Sequence, residues 1–167
     1  MRIPVFVSCP STLNRAQERS RRLILDQLDR LDLEPRALGR SDYPTASPLH
    51  EVLVLAQHCS GGIILGFEQS RAEGLLLKRG TKGEKRLARA VVLPTPWNHI
   101  EAGILFSLRV PLLVFKEDGI GDGIFDPGVT DVFIHRMPVP GLAAAERHAL
   151  TAVFLKWQAD VRAGYYS

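Results

Sequence analysis

The strongest constraint on the fold is a regular alternation of short apolar segments with segments that have helical signals. Residues 3–8, 63–65 and 112–115 are short runs rich in apolar and β-branched side chains, which is typical of strands buried on both faces. Weaker runs at 34–38 and 132–135 complete five predicted strands. Because helical segments separate most of these strands, the alternation predicts a parallel sheet covered by helices on both sides.

Capping signals mark the starts of three predicted helices. Asn14 and Gln17 have the spacing of a capping box, and Ser47 and Thr95 each precede a proline, which is favoured in the first turn of a helix. A fourth helix is predicted over residues 143–163. Right-handed crossovers then favour an α/β fold with a single flavodoxin-like (Rossmannoid), doubly wound sheet that is mainly parallel and five-stranded.

The single domain predicted over residues 1–167 contains a basic insertion at about 68–93. Between Arg71 and Ala90 seven lysines and arginines face two glutamates, so this segment carries +5 while the whole chain carries +3. A partly helical structure is expected over residues 82–89. The charge fits either a solvated surface loop or a loop that attracts a phosphate-bearing ligand. In the second case the candidate phosphate-binding residues are Arg79, Lys82, Lys85 and Arg86.

Composition excludes several classes of protein. The chain is 46% hydrophobic and 23% charged, which is typical of a globular domain and not of a disordered one. No apolar run is long enough to span a membrane, and the first apolar run is too short for a secretory signal, so we expect a cytoplasmic protein. Cys9 and Cys59 form no disulfide framework, and no residues have the spacing of a metal site.

One carboxylate is the main candidate for chemistry. Glu101 lies in the second turn of the helix that starts at Thr95, and the helix is almost entirely apolar after it. We therefore expect this helix to be buried on most sides. A lone carboxylate in that setting is costly unless it is solvated, paired or used in a reaction. Two interpretations stay open: a functional site, or an ion pair between Glu101 and an arginine of the insertion.

The predicted topology places Glu101 where open α/β sheets bind ligands, beyond the carboxyl ends of the strands. A carboxylate there can stabilise or trap an oxocarbenium-like transition state, which favours cleavage of an N-glycosidic bond. Trp97, one helical turn before Glu101, would stack on a base, and Asn98 would orient ribose hydroxyls. The other predicted pocket residues are Ser8, Cys9, Asp42 and Gly66.

A glycine-rich segment follows the fourth strand. Gly119, Gly121 and Gly123 are a weak match to a dinucleotide-binding loop, because they follow a late strand and begin no clear helix. We expect residues 119–128 to form a mobile loop that acts as a lid over the crevice.

The helix at 97–104 (WNHIEAGI) and the following strand at 111–114 (PLLV) resemble the nucleoside 2-deoxyribosyltransferase-like group, whose distant relatives include TIR domains that cleave NAD. The resemblance covers about residues 1–115. It implies a glutamate nucleophile or its equivalent at Glu101, no cofactor, and a nucleoside or nucleotide substrate, with NAD as one possible substrate. It also implies an assembly of several copies of the chain.

Departures from this family leave two alternatives open. The family usually has an aspartate after the third strand, where this sequence has only Glu68, and the first-strand loop lacks a tyrosine. The first alternative is a non-catalytic, TIR-like module that senses a nucleotide or binds a protein. The second resembles the low-molecular-weight tyrosine phosphatases, because Cys9 and Arg15 have Cys-x5-Arg spacing and Asp126 offers a general acid. Neither nucleic acid nor a membrane is an expected partner.

Overall fold

The computed structural model describes residues 2–39 and 47–167. With strands numbered along the chain, the central sheet contains β1 (Ile3–Ser8), β2 (Leu33–Arg36), β3 (Gly62–Gly66), β8 (Leu112–Lys116) and β9 (Ile134–Arg136). Their order is β2-β1-β3-β8-β9, and every neighbouring pair is parallel. The predicted flavodoxin-like, doubly wound α/β fold is therefore confirmed.

Four helices in the described ranges cover the sheet: α1 (Arg15–Arg30), α2 (Pro48–Gln57), α3 (Pro96–Ser107) and α4 (Ala144–Tyr166). Helices α1 and α4 pack on one face, and α2 and α3 pack on the other. Asn14 and Gln17 form the predicted capping box, and the Thr95 side chain accepts the N–H of Trp97. Within the described ranges, no helix combines the length and the apolar composition that crossing a membrane requires.

Strand β1 divides its side chains between the two faces of the sheet. Ile3, Val5 and Val7 pack with α1 and α4, whereas Phe6 packs with α2 and α3. Because side chains alternate along a strand, Ser8 lies on the same side as Phe6. The last residue of β1 thus presents its hydroxyl towards α3.

The insertion consists of two short β-ladders, and the helix expected over residues 82–89 is absent from it. Strand β4 (Ser70–Ala72) pairs antiparallel with β7 (Val91–Leu93), and β5 (Leu76–Leu77) pairs antiparallel with β6 (Lys85–Arg86). The helical prediction is wrong because the glycines in this segment favour a turn. Gly80 adopts a φ of +75°, a conformation that glycine enters without steric cost.

Helix α3 buries only one of its faces. Trp97, Ile100 and Phe106 are 40%, 42% and 52% exposed, so the expectation that this helix is buried on most sides is wrong. The reason is that no layer of the described chain covers its outer face. The inner face, which packs on the sheet, consists of Asn98, Glu101, Ala102 and Leu105.

The glycine-rich segment is packed into the same side of the molecule as α3. Ile120, Ile124 and Phe125 are buried, and residues Gly123–Phe125 form a short 3-10 helix. Ile120 also forms an isolated bridge with Val92 of β7. The expectation of a mobile lid is therefore wrong, because three apolar side chains anchor this segment in the core.

Candidate functional site

The candidate site lies at the carboxyl ends of the neighbouring strands β1 and β3. From β1 the chain crosses to β2 on one side, and from β3 it crosses to β8 on the other. Such a reversal opens the crevice in which doubly wound sheets bind ligands. Ser8 ends β1, and the first turns of α3 pack against it, so α3 places its side chains at this crevice.

Ser8, Asn98 and Glu101 form a buried chain of polar groups. The Asn98 Nδ2 donates to Ser8 Oγ at 2.7 Å and to the Ser8 carbonyl oxygen at 3.5 Å. The Ser8 hydroxyl is also close enough to the Glu101 carboxylate to lower its pKa. Asn98 and Glu101 are three residues apart and so share one face of α3. The structure thus brings together three of the residues that the sequence predicted to line one pocket.

Burial raises the pKa of Glu101 to about 7, although the Ser8 hydroxyl lowers it in part. The desolvation is large because the residue is only 9% exposed. A carboxyl group with a pKa near 7 is poised between its acid and its base at neutral pH. Such a group can serve as a nucleophile, a charge stabiliser or a proton carrier.

The alternative interpretation, an ion pair between Glu101 and an arginine of the insertion, is wrong for the described structure. Within the described residues, no lysine or arginine lies within salt-bridge distance of Glu101. Arg71 instead makes two hydrogen bonds of 2.9 Å to Glu68, and Arg86 donates to the carbonyl oxygen of Gly74 at 2.7 Å. Glu101 is therefore buried without a compensating cation from this part of the chain.

The Asn98 side-chain oxygen has no hydrogen-bond partner among the described residues, although Asn98 is fully buried. Reversing the amide would not correct this, because the Ser8 carbonyl oxygen needs the amide nitrogen as donor. A buried acceptor without a partner costs about 1–3 kcal/mol. Asn98 Oδ1 is therefore a buried acceptor that lacks a hydrogen bond within the described structure.

The other predicted pocket residues that the structure describes are not part of the polar group formed by Ser8, Asn98 and Glu101. Trp97 lies in the first turn of α3 with 40% of its surface exposed. The Cys9 thiol donates to the carbonyl oxygen of Pro10 at 3.6 Å. A Cβ at Gly66 would lie 2.5 Å from the Phe125 ring, so the space beside this glycine is filled by packing. Asp42 lies outside the described residues.

The predicted phosphate-binding residues all lie on the exposed hairpin formed by β5 and β6 and its turn. None of them forms a hydrogen bond or an ion pair with Ser8, Asn98 or Glu101 in the described structure. These residues are Arg79, Lys82, Lys85 and Arg86.

Two cavities lie apart from Glu101. The larger, about 1050 Å³, is at the edge of the sheet between the end of α3, the start of β8, β9 and α4. The smaller, about 520 Å³, lies between the start of α1 and the segments that follow β3, β8 and β9. Neither includes Ser8, Asn98 or Glu101 among its lining residues. A substrate that contacts the Glu101 carboxylate would therefore have to approach the small part of this residue, 9%, that is exposed to solvent.

Sequence reasoning missed contacts that join the elements around the site. Glu117 accepts hydrogen bonds from the Glu68 backbone N–H at 2.6 Å and from the Gln17 side chain at 3.0 Å, which joins the ends of β3 and β8 to α1. On the other face, the His99 ring packs edge-on against Phe125 with centroids 5.6 Å apart. The apolar pair Ile-Phe inside the glycine-rich segment was the available signal for this contact.

The residues of the Cys-x5-Arg segment lie in ordinary structural positions. Arg15 is the exposed first residue of α1. Asp126, the predicted general acid, accepts the backbone N–H of Asp122 at 3.0 Å. The phosphatase interpretation stays a prediction that no observed contact supports.

Comparisons of this chain with models of protein families, with curated proteins and with solved structures found no significant match. The function therefore has to be inferred from the geometry of the site.

Proposed function

We propose that this protein cleaves or transfers the N-glycosidic bond of a nucleoside or nucleotide, with Glu101 as the catalytic carboxylate. The observation that carries this proposal is a buried carboxylate with a pKa of about 7, next to the Ser8 hydroxyl at the crevice of an open parallel sheet. The resemblance of the α3 segment to the deoxyribosyltransferase-like group, whose distant relatives include NAD-cleaving TIR domains, supports the same reaction.

The ionised Glu101 carboxylate would act at the anomeric carbon of the sugar. As the C1′–N bond breaks, its electron pair leaves with the base, and the carboxylate stabilises the positive charge or forms a bond to C1′. A water molecule or an acceptor base then attacks C1′, which restores the carboxylate, and the proton released by the attacking group goes to the solvent or to the departed base. Ser8 is a positioning residue next to the carboxylate.

Asn98 and Trp97 would bind the two halves of the substrate. The unpaired Asn98 Oδ1 is a suitable acceptor for a sugar hydroxyl, and the exposed Trp97 ring offers a face for the base. Ser8, Cys9 and Asp42 remain candidate pocket residues. A phosphate-binding role for the exposed hairpin, with NAD as substrate, stays a prediction.

The second candidate is a non-catalytic module that binds a nucleotide or another copy of the chain. The observation that favours it is the low exposure of Glu101, together with the apolar outer face of α2 and α3. A homo-oligomer built on this face would bury side chains that are now exposed. The large exposed apolar residues of these two helices are Leu49, Leu53, Val54, Trp97, Ile100 and Phe106.

The test compares the wild type with Glu101→Gln and with the control Glu73→Gln, whose side chain is exposed. Each protein is incubated with NAD and with a panel of deoxynucleosides, and the products are separated by chromatography. We expect Glu101→Gln to bind the substrate normally but to lose at least about 1000-fold of the turnover, while Glu73→Gln behaves as wild type. Free base released by Glu101→Gln from every wild-type substrate would contradict the mechanism. Thermal stabilisation of the wild type by a nucleotide without any product would favour the binding module.

A further inference from the structure

The inner hairpin of the insertion is a two-stranded ribbon in which no residue is fully buried, although Leu75, Leu76 and Leu87 are half-buried. We define the basic ribbon as residues 75–87. Leu76 pairs with Arg86 and Leu77 with Lys85, and the Leu87 N–H extends the ladder by donating to the Leu75 carbonyl oxygen at 2.8 Å. All residues from 77 to 86 are exposed. The ribbon therefore contributes no residue to the core that would explain why it is ordered.

The turn of the basic ribbon is held by its own polar groups. The Glu84 carboxylate accepts the backbone N–H of Gly80 at 2.6 Å. The Thr81 hydroxyl donates to the Lys78 carbonyl oxygen at 2.8 Å and accepts the Gly83 N–H at 3.2 Å. The only carboxylate of the ribbon thus bonds to a backbone N–H and neutralises no neighbouring side chain.

Five cations of the basic ribbon have no ion-pair partner among the described residues, and four of them also donate no side-chain hydrogen bond, whereas Arg86 donates to the Gly74 carbonyl oxygen. Other basic residues near the carboxyl edge of the sheet are paired, since Arg71 binds Glu68 and Arg136 binds Asp118. The concentration of unpaired positive charge on the ribbon fits a polyanionic partner. The four cations with neither kind of partner there are Lys78, Arg79, Lys82 and Lys85.

We propose that the basic ribbon binds double-stranded DNA through its phosphate backbone, with the ribbon lying in the major groove. The major groove of B-DNA, about 12 Å wide, admits a two-stranded β-ribbon, whereas the deep major groove of A-form RNA does not. Single-stranded nucleic acid is disfavoured because the ribbon contains no aromatic side chain on which bases stack. A membrane surface is disfavoured because the turn at 78–84 contains no apolar residue to insert.

This proposal is independent of the proposed enzymatic function. The sequence alone did not favour a nucleic-acid partner, since a basic loop is most simply a solvated loop. The added observation is geometric: the cations lie on an ordered ribbon and lack counter-charges. A contact made only with phosphates predicts affinity without base specificity.

The test measures binding of a fluorescently labelled duplex of about 20 base pairs by anisotropy, at NaCl concentrations between about 50 and 200 mM. If these four cations all contact phosphates, the slope of log K against log salt should be about −3.6. Lys82→Ala should reduce the slope by about 0.9. The triple variant Arg79→Glu, Lys82→Glu, Lys85→Glu should bind at least about tenfold more weakly than the wild type at the lowest salt.

The matched control reverses three exposed arginines of α1, in the variant Arg15→Glu, Arg19→Glu, Arg22→Glu. It changes the net charge equally and should retain most of the binding. Equal losses in the two triple variants, or no binding by the wild type at the lowest salt, would overturn the proposal. So would tighter binding to single-stranded DNA, to duplex RNA or to phosphatidylserine vesicles than to duplex DNA. Thermal unfolding of each variant checks that the fold is retained.

Discussion

At the scale of single residues, the burial of Glu101 lowers the free energy of unfolding once its carboxyl group is ionised. Its folded-state pKa of about 7 is above the ordinary value of 4.5, so between these two values the native state binds more protons than the unfolded state. The contribution of this group to the free energy of unfolding is therefore fully present below about pH 4.5. It is lost as the pH rises through about 7. A shift of this size corresponds to about 3 kcal/mol.

Replacing Glu101 with glutamine should therefore stabilise the protein at alkaline pH. We expect Glu101→Gln to raise the free energy of unfolding by up to about 3 kcal/mol at about pH 8, and to change it little at about pH 4.5. The reason is that glutamine does not ionise, so the charge is no longer buried above neutral pH. Urea unfolding at the two pH values measures both effects. Glu73→Gln is the control, and an equal gain at both pH values would contradict the raised pKa.

The sequence predicted these residues as members of one pocket but not the hydrogen bonds between them. The Thr95-Pro96 start and the apolar stretch after Glu101 are local signals, so the position of the carboxylate on its helix was predictable. The hydrogen bond between Ser8 and Asn98 joins residues 90 positions apart in the sequence. No periodicity in one sequence encodes such a pair, and it became visible only when β1 and α3 were placed together.

At the scale of the elements, the 3-10 helix Gly123–Phe125 is the link between the glycine-rich segment and α3. Gly123 has a φ of +60°, and a Cβ there would lie 2.7 Å from the His99 Nδ1. The Phe125 ring fills the space above Gly66. This contact positions the segment against the first turns of α3, close to the turn that carries Glu101.

Alanine at Gly123 should destabilise the protein through two separate effects. A side chain at positive φ costs about 1–2 kcal/mol, and the contact with His99 adds a steric cost. Gly128→Ala is the matched control, since Gly128 has a φ of +85° and a Cβ there would meet no other atom within 4 Å. We expect Gly123→Ala to lower the free energy of unfolding more than Gly128→Ala does. Equal losses in urea unfolding would mean that the His99 contact is unimportant.

The elements differ in how far the sequence determines them. Capping boxes and β-branched runs are local, so the central strands and α1 to α3 lie close to their predicted bounds. The partly helical structure predicted for the insertion is wrong. Its strands have only two or three residues, which is too short to show any periodicity. Lysine and arginine are also good helix formers, so the composition of residues 82–89 suggested a helix where glycine turns and strand pairing decide the outcome.

At the scale of the whole molecule, the order of strands and helices was the most predictable property. Alternating elements with right-handed crossovers leave few topologies, and the observed order β2-β1-β3-β8-β9 is among them. The exposed outer face of α3 was not predictable, because the sequence of an apolar helix does not indicate whether another layer of the protein packs on its outer side. Trp97, Ile100 and Phe106 are the large apolar side chains of this helix that are exposed in the described structure.

The central claim is that the ionised Glu101 carboxylate carries the reaction, and the pH dependence of base release tests it most directly. The rate on the best substrate is measured from about pH 5 to about pH 9 for the wild type and for Ser8→Ala. The wild-type rate should rise with a midpoint of about 7. Ser8→Ala should move the midpoint to higher pH, because the hydroxyl that lowers the pKa of Glu101 is lost. A rate that is flat across this range, or that falls as the pH rises through 7, would contradict the claim.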